Sequence, residues 1–324
     1  MTKHFTAKAL WVTLILALVG VMPAARASEP APIAYTIQFP DLKEHIAQIN
    51  MSVPTDARPS VDLMMAVWSP GFYRVENYAS RVQSFSARTA DGKTLQVERP
   101  RSNRWRIFTN GQPNITVSYR LKCAERSVTT DWVGEDFAVF NGPATFITLV
   151  ESGHRPHEVR IELPASWKQS ICSLDAASDG KPGHYRAPDF DTLADSPIVA
   201  GNPVVAEFEV AGSKHSIAGV GVLANWDTQQ TAHDFKMIAS ENLRMWGFLP
   251  FKRYVFLVCS RRGGGGLEHL NSTLLTANPA TLRSPRGLGF VSHEYFHAYN
   301  VKRLRPIELG PFDYEKPRAR AVCG

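Results

Sequence analysis

The sequence predicts an α+β multidomain chain: an N-terminal all-β sandwich followed by a mixed α/β region. Three observations carry this. Short alternating or β-branched runs recur from residue 33 to about 200, separated by turn signals. From about residue 205 that rhythm gives way to two further strands and a long amphipathic helix. A second helix then carries His293-Glu294-Tyr295-Phe296-His297.

The elements are taken in chain order. Residues 1–27 look like a signal peptide: Lys3 and Lys8 make a basic start, Leu10 to Met22 is apolar, and Ala25-Arg26-Ala27 is a small-x-small cleavage site. The expectation is export, periplasmic or secreted, with no stable membrane association after cleavage. An uncleaved anchor is the alternative reading of the same run, which is short for a membrane span. The signal segment removes Lys3, Lys8 and Arg26 and no acidic residue, so the formal charge falls from +6 to +3. That modest balance argues against a nucleic-acid surface. Lys302-Arg303-Leu304-Arg305 is better read with the neighbouring helix than as a binding patch. The cysteines 123, 172, 259 and 323 show no Cys-x-x-Cys pair; a disulfide is permitted after export, but spacing assigns none.

In the β region, strands are expected at Ile33–Phe39, His45–Val53, Asp62–Trp68, Thr94–Glu98, Arg104–Thr109, Ile115–Leu121, Phe137–Phe140 and Glu158–Leu163. Ser69-Pro70-Gly71, Asp91-Gly92 and Asn141-Gly142 punctuate them. Such spacing suggests a sandwich occupying residues 28–204. Trp68 and Tyr73 are expected to be structural aromatics rather than ligand contacts. Beyond this, Val205–Val210 and Ser216–Val222 look like strands. Thr228 to Trp246 is a helix capped by Asp227, closed by Gly247, with Ala232, Phe235, Ile238 and Met245 on one side. Lys252–Cys259 is again a strand.

The chemistry lies further on. Residues four apart share a helix face, so His293 and His297 can reach one metal ion. Glu294 then stands where a general base for an attacking water is needed. The bland reading is an amphipathic helix with two partly buried histidines; Phe290, Val291, Phe296 and Val301 supply its apolar positions. Upstream, the glycines at 263–266 would let a substrate backbone approach closely, and the edge strand after them could pair with an extended peptide. Glu268 could hold a substrate's α-ammonium group, which would make the enzyme trim from the N-terminus. The alternative there is a flexible hairpin with a solvated Glu.

The run Gly264-Gly265-Gly266-Leu267-Glu268-His269, the segment Ser292 to Pro306 and Leu309-Gly310-Pro311-Phe312-Asp313-Tyr314 closely resemble the glycyl aminopeptidase family of zinc metallopeptidases. Trp68-Ser69-Pro70-Gly71 and Asp191 to Pro197 echo it more loosely. The resemblance implies an N-terminal β-domain and a thermolysin-like catalytic domain, here residues 205–324. It also implies Zn2+, and release of N-terminal residues, glycine and alanine favoured, from peptides with a free N-terminus. Carried over, His293 and His297 would be zinc ligands, Glu294 the general base, Glu268 the amine anchor, and Gly264, Gly265 and Gly266 the backbone-binding strand. The family would continue into a helix bearing a third ligand Glu, and into a PDZ domain. This sequence instead ends in Glu315-Lys316-Pro317 and a tail without helical periodicity, so the catalytic domain is expected to be incomplete, through a frameshift or an early stop. Glu315 is a weak substitute ligand, since Pro317 leaves no helix to aim it. Two functions follow: a zinc aminopeptidase, or a non-catalytic remnant that retains peptide binding.

Overall fold

The computed structural model describes residues 29–221, 226–261, 264–307 and 311–316. The expected signal peptide, Gly263, Glu308 and the tail from Pro317 lie outside these residues.

Alternation along the early strands becomes a buried face. Ile33, Tyr35 and Ile37 on one strand, and Ile115, Val117, Tyr119 and Leu121 on another, are all within 1% of full burial, while their neighbours face outward. Seven strands form one sheet, with Ile33–Asp41 near its centre between Ile46–Pro54 and the parallel His157–Ile161. A four-stranded sheet (Ile147–Leu149, Ser60–Met65, Arg104–Phe108, Val97–Arg101) shares one apolar core with it, through Leu63, Trp105 and Ile107. A third sheet joins Phe137–Phe140 to Ile198–Gly201. The N-terminal part is the sandwich that its periodicity predicts.

The C-terminal part is built on five strands, in the order Val204–Val210, Ser213–Val220, Arg253–Cys259, Ser272–Thr276, Gly265–Glu268. The helix Thr228–Trp246 has the expected ends: Asp227 accepts from the Gln230 backbone amide, and Gly247 closes it at φ 77°. Its buried side differs from expectation. Phe235 and Ala239 are fully buried, but Met245 is 59% exposed, while its neighbours Leu243 and Trp246 pack on the apolar cluster instead. Strand Ser272–Thr276 escapes the sequence pattern because all five residues are buried and give no alternation. It matters to the site: it pairs with the glycine strand and places that strand at the sheet edge. Residues of both parts meet in a third apolar cluster, where Phe137 and Val199 pack with Ala218, Leu257 and Leu274. Cys123, Cys172 and Cys259 are buried and unbridged; burial pushes the last two thiols up to about 12. Among the described residues no helix is long and apolar enough to cross a membrane.

One polar junction ties the two parts together. Asp195, the residue that ends the short helix Phe190–Ala194, accepts from Lys302 Nζ at 2.8 Å, His269 Nδ1 at 3.0 Å and the Leu270 amide at 2.8 Å. Burial alone would raise this carboxyl; the Lys302 charge and the His269 contact overcome it and hold it at about 2. We expect Asp195→Asn to cost about 3 kcal/mol in denaturant unfolding at neutral pH, because Lys302 is left as a buried cation without its counter-ion. The carboxyl's contribution is complete above about pH 4 and is lost as pH falls toward about 2. The stability gap between wild type and variant should therefore narrow across that window, and a constant gap would refute the ion pair.

Candidate active site

The motif helix runs from Pro285 to Phe296, with Ser284 accepting from the Gly287 amide and Pro285 in the first turn. Its inner face is set by Val291 and Tyr295, which join Ala298 and Tyr299 in the apolar cluster under the sheet. Two hydroxyls fix its roll. The Tyr295 hydroxyl donates to His215 Nε2 at 2.8 Å, while His215 Nδ1 donates to the Ser213 carbonyl at 3.0 Å. Burial lowers His215 to about 4, so it stays neutral and accepts. The Tyr299 hydroxyl donates to the Phe248 carbonyl at 2.8 Å. After the helix, Arg303 donates to the carbonyls of Leu270 and Ala298 and to Asn271 Oδ1. Lys302 and Arg303 thus lock the turn after the motif to the loop after Glu268, which explains their charge without a ligand.

With the helix held in this roll, His293 and His297 present their Nε2 atoms 3.0 Å apart. The His297 Nδ1–H donates to the Asn300 carbonyl at 2.7 Å, which leaves its Nε2 with a free lone pair. Desolvation and the His297 ring beside it lower the His293 imidazole. Two imidazole nitrogens converging on one point are the donor pair a transition metal takes. Among the described residues no group of three His, Cys, Asp or Glu is placed to hold a metal. Glu315 does not supply the third donor. Its carboxylate is taken by Asn103 and by both the Nε and Nη2 of Arg104, against the four-stranded sheet of the sandwich. The Arg104 guanidinium on that sheet drew it away, a partner that chain spacing could not reveal.

Glu294 and Glu268 face each other across a glycine. A Cβ at Gly266 would stand 2.2 Å from Glu294 Oε1, so only a residue without a side chain allows the helix to sit this close to the edge strand. Glu294 is pushed up to about 7, first by burial and then by the charge of Glu268. Glu268 is 7% exposed, and no described basic side chain pairs with either carboxylate. Gly264 is open, with nothing within 4 Å of a Cβ placed there, and Gly265 meets the Thr276 hydroxyl.

The sandwich reaches this site as well. Gly71, in the Ser-Pro-Gly turn, has φ +95°, and a Cβ there would stand 2.7 Å from Glu268 Oε1. Behind it Trp68 is buried, stacks on Tyr73 and Tyr314, and donates to the Asp313 carbonyl at 2.9 Å. These aromatics hold the turn, as their pattern predicts. Sequence reasoning missed His215 and the ionic role of Asp195; a buried His on an apolar strand carries no local signal.

A β-sandwich set against a five-stranded sheet, with a glycine edge strand facing a His-Glu-x-x-His helix, defines an aminopeptidase-like fold. Residues 34–202 match the Peptidase M61 N-terminal domain, and residues 286–323 match M61 glycyl aminopeptidase. The chain belongs to the M61 peptidase family. Among solved structures it is similar to an aminopeptidase N family protein from Idiomarina loihiensis, at TM-score 0.81 and 26% identity, over 88% of this chain and 50% of that one. It is similar in fold to Legionella pneumophila aminopeptidase A in complex with aspartic acid, at TM-score 0.53 and 12% identity, over 85% of this chain and 35% of that one. The chain thus spans half the length of the first and about a third of the second. No curated protein matches it.

We expect Gly71→Ala to destabilise the protein by about 2 kcal/mol, from strain at positive φ and collision with Glu268. An unchanged denaturation midpoint would mean that the turn and the edge strand do not meet.

Proposed function

We propose that this site removes N-terminal residues from peptides with zinc as cofactor. The observation that carries the reading is the facing pair of His Nε2 atoms, 3.0 Å apart, beside a buried Glu294. His293 and His297 would hold the metal. Zinc at that point would supply a Lewis acid and ease deprotonation of a water. Glu294 takes the proton, its carboxyl already raised toward the range where a base both accepts and returns one. Glu268 binds the α-ammonium group, so the first residue alone fits between it and the bond to be cut. Gly264, Gly265 and Gly266 pair with the substrate backbone at the sheet edge. The preference for glycine and alanine rests on the family resemblance alone. Export rests on the basic, apolar and Ala-Arg-Ala segments of residues 1–27. The division into a sandwich over 28–204 and a catalytic region over 205–324 is part of the same proposal.

One observation favours a second reading. Only two converging donors are found among the described residues, and a two-donor site holds zinc weakly. Peptide binding without turnover is that reading. Zinc content per chain, with turnover of glycine and alanine p-nitroanilides, separates the two. The peptidase reading requires stoichiometric zinc, its loss in His297→Ala, and a fall in kcat of about 1,000-fold in Glu294→Gln with zinc retained. A zinc-free wild type without turnover leaves peptide binding.

Gly266→Ala gives an independent check, because its methyl group displaces the Glu294 carboxylate while both histidines remain. Zinc should stay and kcat/KM should fall about 100-fold. Full activity in this variant would place the base elsewhere.

A further inference from the structure

A groove of about 600 Å³ opens beyond the glycines, between the edge strand and the first half of the motif helix. Gly264 and Gly265 form one wall, Ala277 and Leu282 its floor, and Phe290 and Arg286 the helix side. Strand and helix run past it in the same direction: Gly266 lies against Glu294, while Gly264 and Gly265 lie across from Phe290 and Gly287. That direction determines how a peptide can lie. An extended substrate with its ammonium at Glu268, paired antiparallel to the edge strand, must run from Glu268 toward Gly264. By the same path it runs from Glu294 toward Arg286. Among the described residues the groove lies along that line, on the side of the bond to be cut away from Glu268.

Arg286 is exposed and forms no hydrogen bond or ion pair with any described residue. It precedes Glu294 by eight positions, a distance of about 12 Å along the helix at ~1.5 Å per residue. An extended peptide advances ~3.4 Å per residue, so this distance corresponds to about three residues past the scissile bond. The side chains between would meet Ala277, Leu282 and Phe290, a small apolar surface.

We propose that this groove is the subsite for the leaving portion of the peptide, and that Arg286 at its far end selects a carboxylate about three residues beyond the scissile bond. The carboxylate is either the free C-terminus of a tetrapeptide or an Asp or Glu side chain at that position of a longer one. This rests on the peptide-binding half of the reading above, and not on turnover.

The test uses the full chain and calorimetric binding of three peptides: Gly-Ala-Ala-Ala as free acid, the same peptide as its amide, and Gly-Ala-Ala-Asp-Ala-Ala amide. Initial rates are measured in parallel wherever turnover is detectable. The free acid should bind about fivefold tighter than its amide, a size suited to one exposed charged contact. The Asp-containing peptide should recover that gain if side-chain carboxylates are accepted, and should match the amide if only a C-terminus is. Arg286→Gln should abolish the difference, and Arg286→Glu should invert it, with unchanged thermal unfolding. Discrimination without turnover supports the groove while the peptidase reading fails. Turnover with equal affinity for all three peptides, or an unchanged preference in Arg286→Gln, overturns the groove and leaves the peptidase reading intact. Absence of binding by all three overturns both.

Discussion

The buried carboxylate of Asp195 is the constraint on which the site depends. It belongs to the sandwich, yet two of its three partners directly follow the edge-strand Glu268 and the third follows the motif helix. None of those segments holds the others by backbone pairing alone: the edge strand is paired on one side only, and the chain after His297 proceeds through turns. A carboxylate that is expensive to leave unpaired makes the three segments interdependent. Arg303 adds a second clasp between the same two segments through carbonyls, so the geometry is over-determined rather than hung on one ion pair. That redundancy suits a site in which Glu268 and the two histidines come from different elements.

Closeness is the second theme, and it is bought with missing side chains. At Gly266 the Glu294 carboxylate occupies the space a methyl group would fill, and at Gly71, in a turn of the sandwich, the Glu268 carboxylate does the same. The sandwich therefore forms a wall of the site rather than a platform beneath it. His215 and Tyr295 determine how far the helix can rotate, since a rotation large enough to relieve the crowding at Gly266 would break a fully buried hydrogen bond.

Much of this was legible in the sequence where local chemistry speaks. The helix Thr228–Trp246 shows both caps in its sequence, and the strands Arg104–Phe108 and Phe137–Phe140 follow their alternation or apolar content closely. His293 and His297 come together as four-residue spacing requires. What was not legible depends on partners distant in the chain. Ser272–Thr276 is buried on both faces and so lacks the period that marks a strand. Met245 satisfies the helical spacing but is exposed, its neighbours Leu243 and Trp246 covering the core in its place. Glu315 carries a plausible separation from the second histidine, but Arg104, more than two hundred positions earlier, takes it. Spacing along a helix is a local quantity, and ligand sets assembled from several elements are not.

The electrostatics of the site have a direction of their own. Glu294 and Glu268 are both buried and mutually repelling, and no described basic side chain neutralises them, whereas Asp195 is paired with Lys302 and Glu315 with Arg104, and buried Asp131 is at least met by the Asn141 amide and the Thr145 hydroxyl. Burial first, and the Glu268 charge second, raise the Glu294 carboxyl. Two positions could relieve that repulsion without rearranging the protein: a cation at the facing Nε2 atoms, and an ammonium group at Glu268. Each would lower Glu294, since a positive charge beside a buried carboxyl favours its ionised form.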